Sequence, residues 1–271
     1  NGTGTREVVT SLLPVRGWAE QIGSLGRRVL PCSVLSVPNY PGGRPVLVAG
    51  FPAGSFAANC YLVAAEPGAE CLIVDPGEDA GPGIDELAAR HRLKPVAVLL
   101  THGHIDHMWS VAPVCGARDI PAYIHPGDRA LLADPARGLP LGPGQQLFGG
   151  LEFTEPDDVR ELTDGAVLSL AGLEITVDHA PGHTPGSVAF RSGTTVMFSG
   201  DLLFAGSIGR TDLPGGDPAA MMGSLARVCL PLPDETQVLP GHGPATTIGA
   251  ERASNQFLAG LQPGAGRATG L

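Results

Sequence analysis

The stretch "THGHIDHMWS", Thr101–Ser110, places three histidines and an aspartate within six residues. It follows at once on "VAVLL", Val96–Leu100, a wholly apolar run that reads as a buried strand. His102 and His104 are two apart, so in an extended loop they point to one side. Asp106 and His107 are adjacent, and adjacent residues do not share a helix face, so they reach two different points from a loop or a helix start. The crowding makes sense if the stretch serves two targets side by side: His102 and His104 on one, Asp106 and His107 on the other. Imidazole with carboxylate suits a Zn, Fe or Mn ion.

Three further candidates of matching chemistry sit at the ends of apolar strands, each in a Gly-containing turn: His183 in "HAPGHTPG", Asp201 in "FSGD" and His242 in "LPGHGP". Loops at strand ends are where a rigid scaffold presents reactive groups. The other histidines read differently. His91 falls on a predicted helix face and serves packing or the surface. His125, before Pro126-Gly127-Asp128, is a candidate for lining the pocket, and His179 is a strand residue near the site without being a ligand. Asp75 ends the buried strand "CLIVDPG" and is a candidate acceptor for a ligand histidine. Arg210 and Asp212, in "GRTD", read first as a salt bridge that shapes the loop after Asp201, with the holding of an anionic substrate as the alternative.

Outward from these motifs the text is regular. "PVLVAGFPAG", "NCYLVAA", "CLIVDPG" and "AYIH" read as strands, and "GIDELAARHRL" has helical spacing, with Ile84, Leu87, Ala88 and His91 on one face. "MWSVAPVC" continues as a helix, and residues 126–160 are rich in loops. "AVLSLAG", "LEITVDHAPGH", "SVAFRSG" and "TTVMFSGD" alternate apolar and polar residues and form an antiparallel group. "DPAAMMGSLARVCL" and "IGAERASNQFLAGL" are helices on either side of a last strand, "TQVLPGHG". Two strand-rich halves, each with its helices, give an α/β (α+β) class of packed sheets flanked by helices.

The domain is expected over residues 46–262, with a tail at 263–271. Residues 1–45 carry five arginines against two acids, lack a sustained period, and read as a poorly ordered extension with one short helix near Trp18–Ile22. Arg27-Arg28 precede an apolar stretch too short, and too broken by Pro31, for an export signal. The chain of 271 residues is 43% hydrophobic and 16% charged, which suits a soluble globular protein with a large core. Its net charge of −10 argues against a general nucleic-acid binder, and no apolar run has transmembrane length. Five cysteines, an odd number with no C-x-x-C pair, argue against a disulfide framework and for the reducing cytoplasm.

The motifs "THGHIDH", "PGHTPGS", "SGDLLFAGSIGRTDLPGGD" and "LPGHGP", in that order, resemble the metallo-β-lactamase superfamily, and within it the glyoxalase II-related hydrolases. The resemblance implies a four-layer αββα sandwich with two divalent metal ions, zinc first and Fe or Mn next, at one edge. It implies that His102, His104 and His183 bind the first metal, that Asp106, His107 and His242 bind the second, and that Asp201 bridges them. Asp106 and Asp201 are then the catalytic carboxylates. A hydroxide held between the metals would attack the acyl carbonyl of a small-molecule thioester of the hydroxyacylglutathione kind. Asp201 stands where the best-known zinc β-lactamases have cysteine, which disfavours a β-lactam substrate. The helical C-terminal domain of glyoxalase II has no counterpart here, so the resemblance is to a shorter bacterial group. The same fold leaves two alternatives: a persulfide dioxygenase with one iron on His102, His183 and Asp201, and a lactone or ester hydrolase. Ribonucleases that share the metal motif are disfavoured by the acidic charge.

Overall fold

Burial with a period of two builds the first sheet. In β2 (Val46–Ala53), Leu47 and Ala49 pack into one apolar cluster and Val46 and Val48 into another. In β4 (Glu70–Val74), Cys71 and Ile73 are divided from Leu72 and Val74 in the same way. The computed structural model describes residues 33–37, 46–141 and 151–261. Within them, β1 (Ser33–Val37), β2, β3 (Ala58–Ala64), β4, β5 (Lys94–Leu99), β6 (Ala122–Ile124) and β7 (Val159–Glu161) form a seven-stranded sheet in chain order. Neighbours from β1 to β4 are antiparallel, and those from β4 to β7 are parallel. The parallel crossovers carry α1 (Ala80–His91), and then α2 (Ile105–Met108) and α3 (Val111–Gly116).

The second sheet has six strands in the order β13-β12-β11-β10-β9-β8. These are β8 (Val167–Leu170), β9 (Leu173–His179), β10 (Val188–Ser192), β11 (Val196–Gly200), β12 (Gln237–Pro240) and β13 (Thr246–Thr247). β8 to β11 form the expected antiparallel group, and β12 runs parallel to β11. The crossover into β12 holds α4 (Pro218–Ser224), which continues as a π-helical turn over Leu225–Cys229; α5 (Ile248–Ser254) closes the fold. Asp217 caps α4 by accepting from the Ala219 and Ala220 N–H groups at 2.8 and 3.0 Å.

Three apolar cores make this an αββα sandwich of four layers. The middle core joins the sheets, with Val63, Leu72 and Leu99 from one against Val177, Phe190 and Phe198 from the other. An outer core packs Leu62, Ile73 and Val98 against Ile84 and Leu87 of α1 and Val114 of α3. The opposite core packs Ala189, Met197 and Val238 against Met221, Leu225 and Ile248. Among the described residues no helix is long and apolar enough to cross a membrane.

Several elements differ from the sequence reading. β1 lies inside the segment expected to be poorly ordered: Ser33–Val37 pairs with Val46–Gly50, so the sheet recruits a run of five residues that is too short to stand alone. The rest of 1–45, with the expected helix near Trp18, and the tail at 263–271 lie outside the described residues. β7 begins at the end of the segment 126–160 expected to be rich in loops; only three residues long, it is stabilised by its parallel partner β6. The helix expected over Met108–Cys115 is split at Trp109–Ser110, where the Ser110 N–H donates to the Pro76 carbonyl instead of continuing the helix. The last helix stops at Ser254 because the Asn255 side chain turns to the Ser207 carbonyl and to the Phe257 N–H.

Candidate metal centre

Strand direction decides where the reactive side chains meet. β4 and β5 run in parallel, so Asp75 and the Thr101–His107 loop leave the first sheet at one edge. β9, β11 and β12 share a direction in the second sheet, so the loops of His183, Asp201 and His242 leave it together. Where the two edges meet, three groups of ligand-type atoms lie within 4.8 Å of one another: His102/His104/His183, Asp106/His107/His242, and His102/His107/Asp201. All seven predicted residues are therefore brought together, and the third group joins the other two. Gly241 makes the last approach feasible, since a Cβ there would overlap Asp201 Oδ1 and His107 Cε1.

Hydrogen bonds fix which nitrogen each ring turns inward. His183 Nδ1 donates to the Arg210 carbonyl at 2.7 Å, leaving Nε2 as a lone-pair donor 2.8 Å from His104 Nδ1. His107 Nδ1 faces Asp75 Oδ2 at 3.0 Å, leaving Nε2 to face His242 Nε2 at 3.2 Å. His102 Nδ1 lies 3.1 Å from the Thr101 hydroxyl, so its Nε2 is free to turn to the cluster. Asp106 Oδ2 is 3.0 Å from His242 Nε2.

The donor set fits divalent cations. His102 Nε2 and Asp201 Oδ1 are buried with no hydrogen-bond partner, an arrangement that is costly unless a cation takes their lone pairs. Burial and the surrounding imidazoles hold His102 well below the ordinary histidine range. Burial, then His183, brings His104 down to about 4. Both rings are thus neutral at physiological pH, the form that binds metals. Burial alone would push the carboxyls of Asp106 and Asp201 up, but His107 and the nearby histidines hold both below the usual range. For His107 burial acts downward and is outweighed by Asp106, Asp201 and Asp75, so its imidazole is held above its ordinary value. Oxygen and nitrogen donors in this number form two divalent-metal sites of the kind that take Zn, Fe or Mn.

Residues 53–242 match the metallo-beta-lactamase superfamily. The chain belongs to that superfamily. As a metallo-beta-lactamase-fold protein it is similar to the solved structure of BLEG-1 B3 metallo-beta-lactamase, at 40% identity and a TM-score of 0.70, covering 79% of this chain and 100% of that one. It is also similar to TTHA1623 in a di-iron-bound form, at 44% identity and a TM-score of 0.62, covering 76% and 97%. Hydroxyacylglutathione hydrolase GloC of Haemophilus influenzae is 34% identical over 211 residues, which cover 76% of this chain and 95% of that protein.

The remaining sequence candidates in this metallo-beta-lactamase fold separate cleanly. Asp75 does contact a candidate ligand, His107. Arg210 and Asp212 form a bidentate ion pair with both contacts at 2.7 Å, and the loop they shape delivers the Arg210 carbonyl to His183. His125 lies in none of the three groups; it stacks on His179 with ring centroids 4.0 Å apart. His91 is half-buried at the end of α1, as its helix position suggested. Sequence reasoning missed Asn59, whose side-chain amide donates to the carbonyls of Pro240 and Gly243 at 2.9 Å, on either side of His242. It missed Asp128 as well, because an aspartate after Pro-Gly reads as a turn former.

Proposed function

We propose that the protein is a binuclear metallohydrolase that cleaves thioesters of the hydroxyacylglutathione kind. The observation that carries the binuclear part is the position of Asp201. Its Oδ1 lies 3.4 Å from His107 Nε2, and its Oδ2 lies 3.4 Å from His183 Nε2 and 3.9 Å from His242 Nε2, so the one carboxylate reaches both histidine groups. In this reading His102, His104 and His183 would hold one ion, Asp106, His107 and His242 would hold the other, and Asp201 would serve both. A single-iron dioxygenase on His102, His183 and Asp201 would leave the group of Asp106, His107 and His242 without a use.

The ions, when bound, supply a water acidic enough to attack near neutral pH and a Lewis acid for the acyl oxygen. Asp201 orients the attacking water and takes part in passing its proton to the departing thiolate. Asp106 balances the cationic charge beside His242. The bond that forms joins the water oxygen to the acyl carbon, the C–S bond breaks, and the products are a carboxylic acid and a thiol. Similarity to GloC supports the thioester class. Similarity to TTHA1623 in its di-iron form keeps iron beside zinc as the resident metal. The reading includes a cytoplasmic location, supported by the free, buried Cys60, Cys71, Cys115 and Cys229.

One observation favours a second reading: the 40% identity to BLEG-1 brings β-lactam hydrolysis back despite Asp201 standing in the cysteine position. The two are separated by assaying zinc-loaded protein on S-lactoylglutathione and on a chromogenic cephalosporin, each with a chelated control. Chelator-sensitive release of thiol is the expected result. Cephalosporin opening without thiol release selects the second reading. Failure on both directs attention to oxygen uptake with a persulfide.

A further inference from the structure

We infer that Asp128 is a positioning residue of the three-histidine site, a buried carboxylate that fixes the loop of His102 and His104 against the loop of His183. The inference rests on the metal assignment proposed above. Asp128 follows β6 in the turn Pro126-Gly127-Asp128 and is fully buried. It forms no salt bridge among the described residues, so its charge is balanced by hydrogen-bond donors instead. Its Oδ2 accepts from the Gly103 N–H at 2.9 Å and from the Thr184 hydroxyl at 2.6 Å, and its Oδ1 accepts from the Gly186 N–H at 2.7 Å.

The identity of those donors gives the residue its role. Gly103 separates His102 from His104, and Thr184 follows His183 directly. The first loop leaves the first sheet after β5, and the second leaves the second sheet after β9. One carboxylate therefore joins the two halves of the sandwich at the point where their histidines converge within 4.8 Å. Gly186 permits the approach, since a Cβ there would lie 2.6 Å from Asp128 Cγ. All three partners are donors, and the Thr184 hydroxyl can give its proton to Asp128 while accepting from Ser187, 2.7 Å away. Only a group with two acceptor oxygens fits. An asparagine of the same shape would turn an NH2 toward at least one donor.

The test compares zinc retention by the unmodified protein, Asp128→Asn and Thr184→Val across a series of chelator concentrations, alongside the melting temperature of each metal-free protein. The unmodified protein is expected to retain two zinc ions per chain. Asp128→Asn is expected to weaken one of the two by about 10–100-fold, the range for lost support around a ligand, and to keep the other. Thr184→Val, which removes one contact of three, is expected to lie between, and it carries the test if Asp128→Asn does not fold. A variant that melts lower yet holds both ions as tightly as the unmodified protein overturns the positioning role. An unmodified protein that retains no zinc overturns the metal assignment itself, and the role of Asp128 with it.

Discussion

Asp75 holds His107 in place: Oδ2 of the carboxylate lies 3.0 Å from Nδ1 of the ring, with both side chains buried. The same oxygen accepts from the Thr101 hydroxyl at 2.6 Å, and that hydroxyl lies 3.1 Å from His102 Nδ1. Oδ1 accepts from the Thr101 N–H at 2.8 Å. One carboxylate thus orients two imidazoles that the proposed function assigns to different ions. Asp75 itself has a φ of +50°, in the left-handed region that aspartate tolerates better than most residues.

Asp75→Asn replaces one acceptor with a donor against the Thr101 and His107 groups. Metal affinity and turnover are expected to fall by about 10–100-fold with the fold retained. Zinc content after dialysis, measured beside thiol release, checks this. Full zinc occupancy with unchanged turnover would remove Asp75 from the account.

Asp201→Asn leaves shape almost unchanged and takes away the charge shared by the two groups of histidines. Fewer than two zinc ions per chain and at least about a tenfold loss of turnover are expected, with circular dichroism unaltered. A fully active variant would contradict the bridging role.

How far the sequence discloses all this depends on the range of the interactions. The seven candidate ligands were legible because each couples an unusual residue type to the end of an apolar strand, a purely local signal. The antiparallel run from Val167 to Gly200 was legible for the same reason, through its alternation. β1 was not, because a stretch of only five residues becomes a strand by pairing with β2. Asp128 and Asn59 were not, because their partners lie 25 to 58 and 181 to 184 residues away in the chain. A short turn and a strand start look ordinary until the sheets are packed.

Burial of the thiols has a consequence at alkaline pH. Burial pushes Cys71, Cys115 and Cys229 up to about 12 and Cys60 well above its ordinary value. The folded state then keeps protons that the unfolded chain gives up above pH 9, so stability present below pH 9 is lost between pH 9 and 12. Each thiol contributes a loss of about 1.4 kcal/mol per pH unit in that window. A melting temperature that falls across it, together with slow reaction of these four thiols with a disulfide reagent until the protein unfolds, is the expected result. Rapid labelling of the four in native protein would contradict their burial.

Phe190 pairs with Phe198 on the neighbouring strand and stands in the core between the sheets. Phe190→Ala is expected to cost about 3–5 kcal/mol, read from urea unfolding. A loss under about 1 kcal/mol would mean that the sheets close over the gap more readily than so dense a core allows.

If two metal ions held by the seven named residues act together on a thioester, activity must depend on the second ion as well as the first. Zinc is titrated into metal-free protein while thiol release from S-lactoylglutathione is followed. The rate is expected to rise to a plateau at two zinc ions per chain. A plateau at one ion, or two bound ions with no release of thiol, would contradict joint action of the two ions.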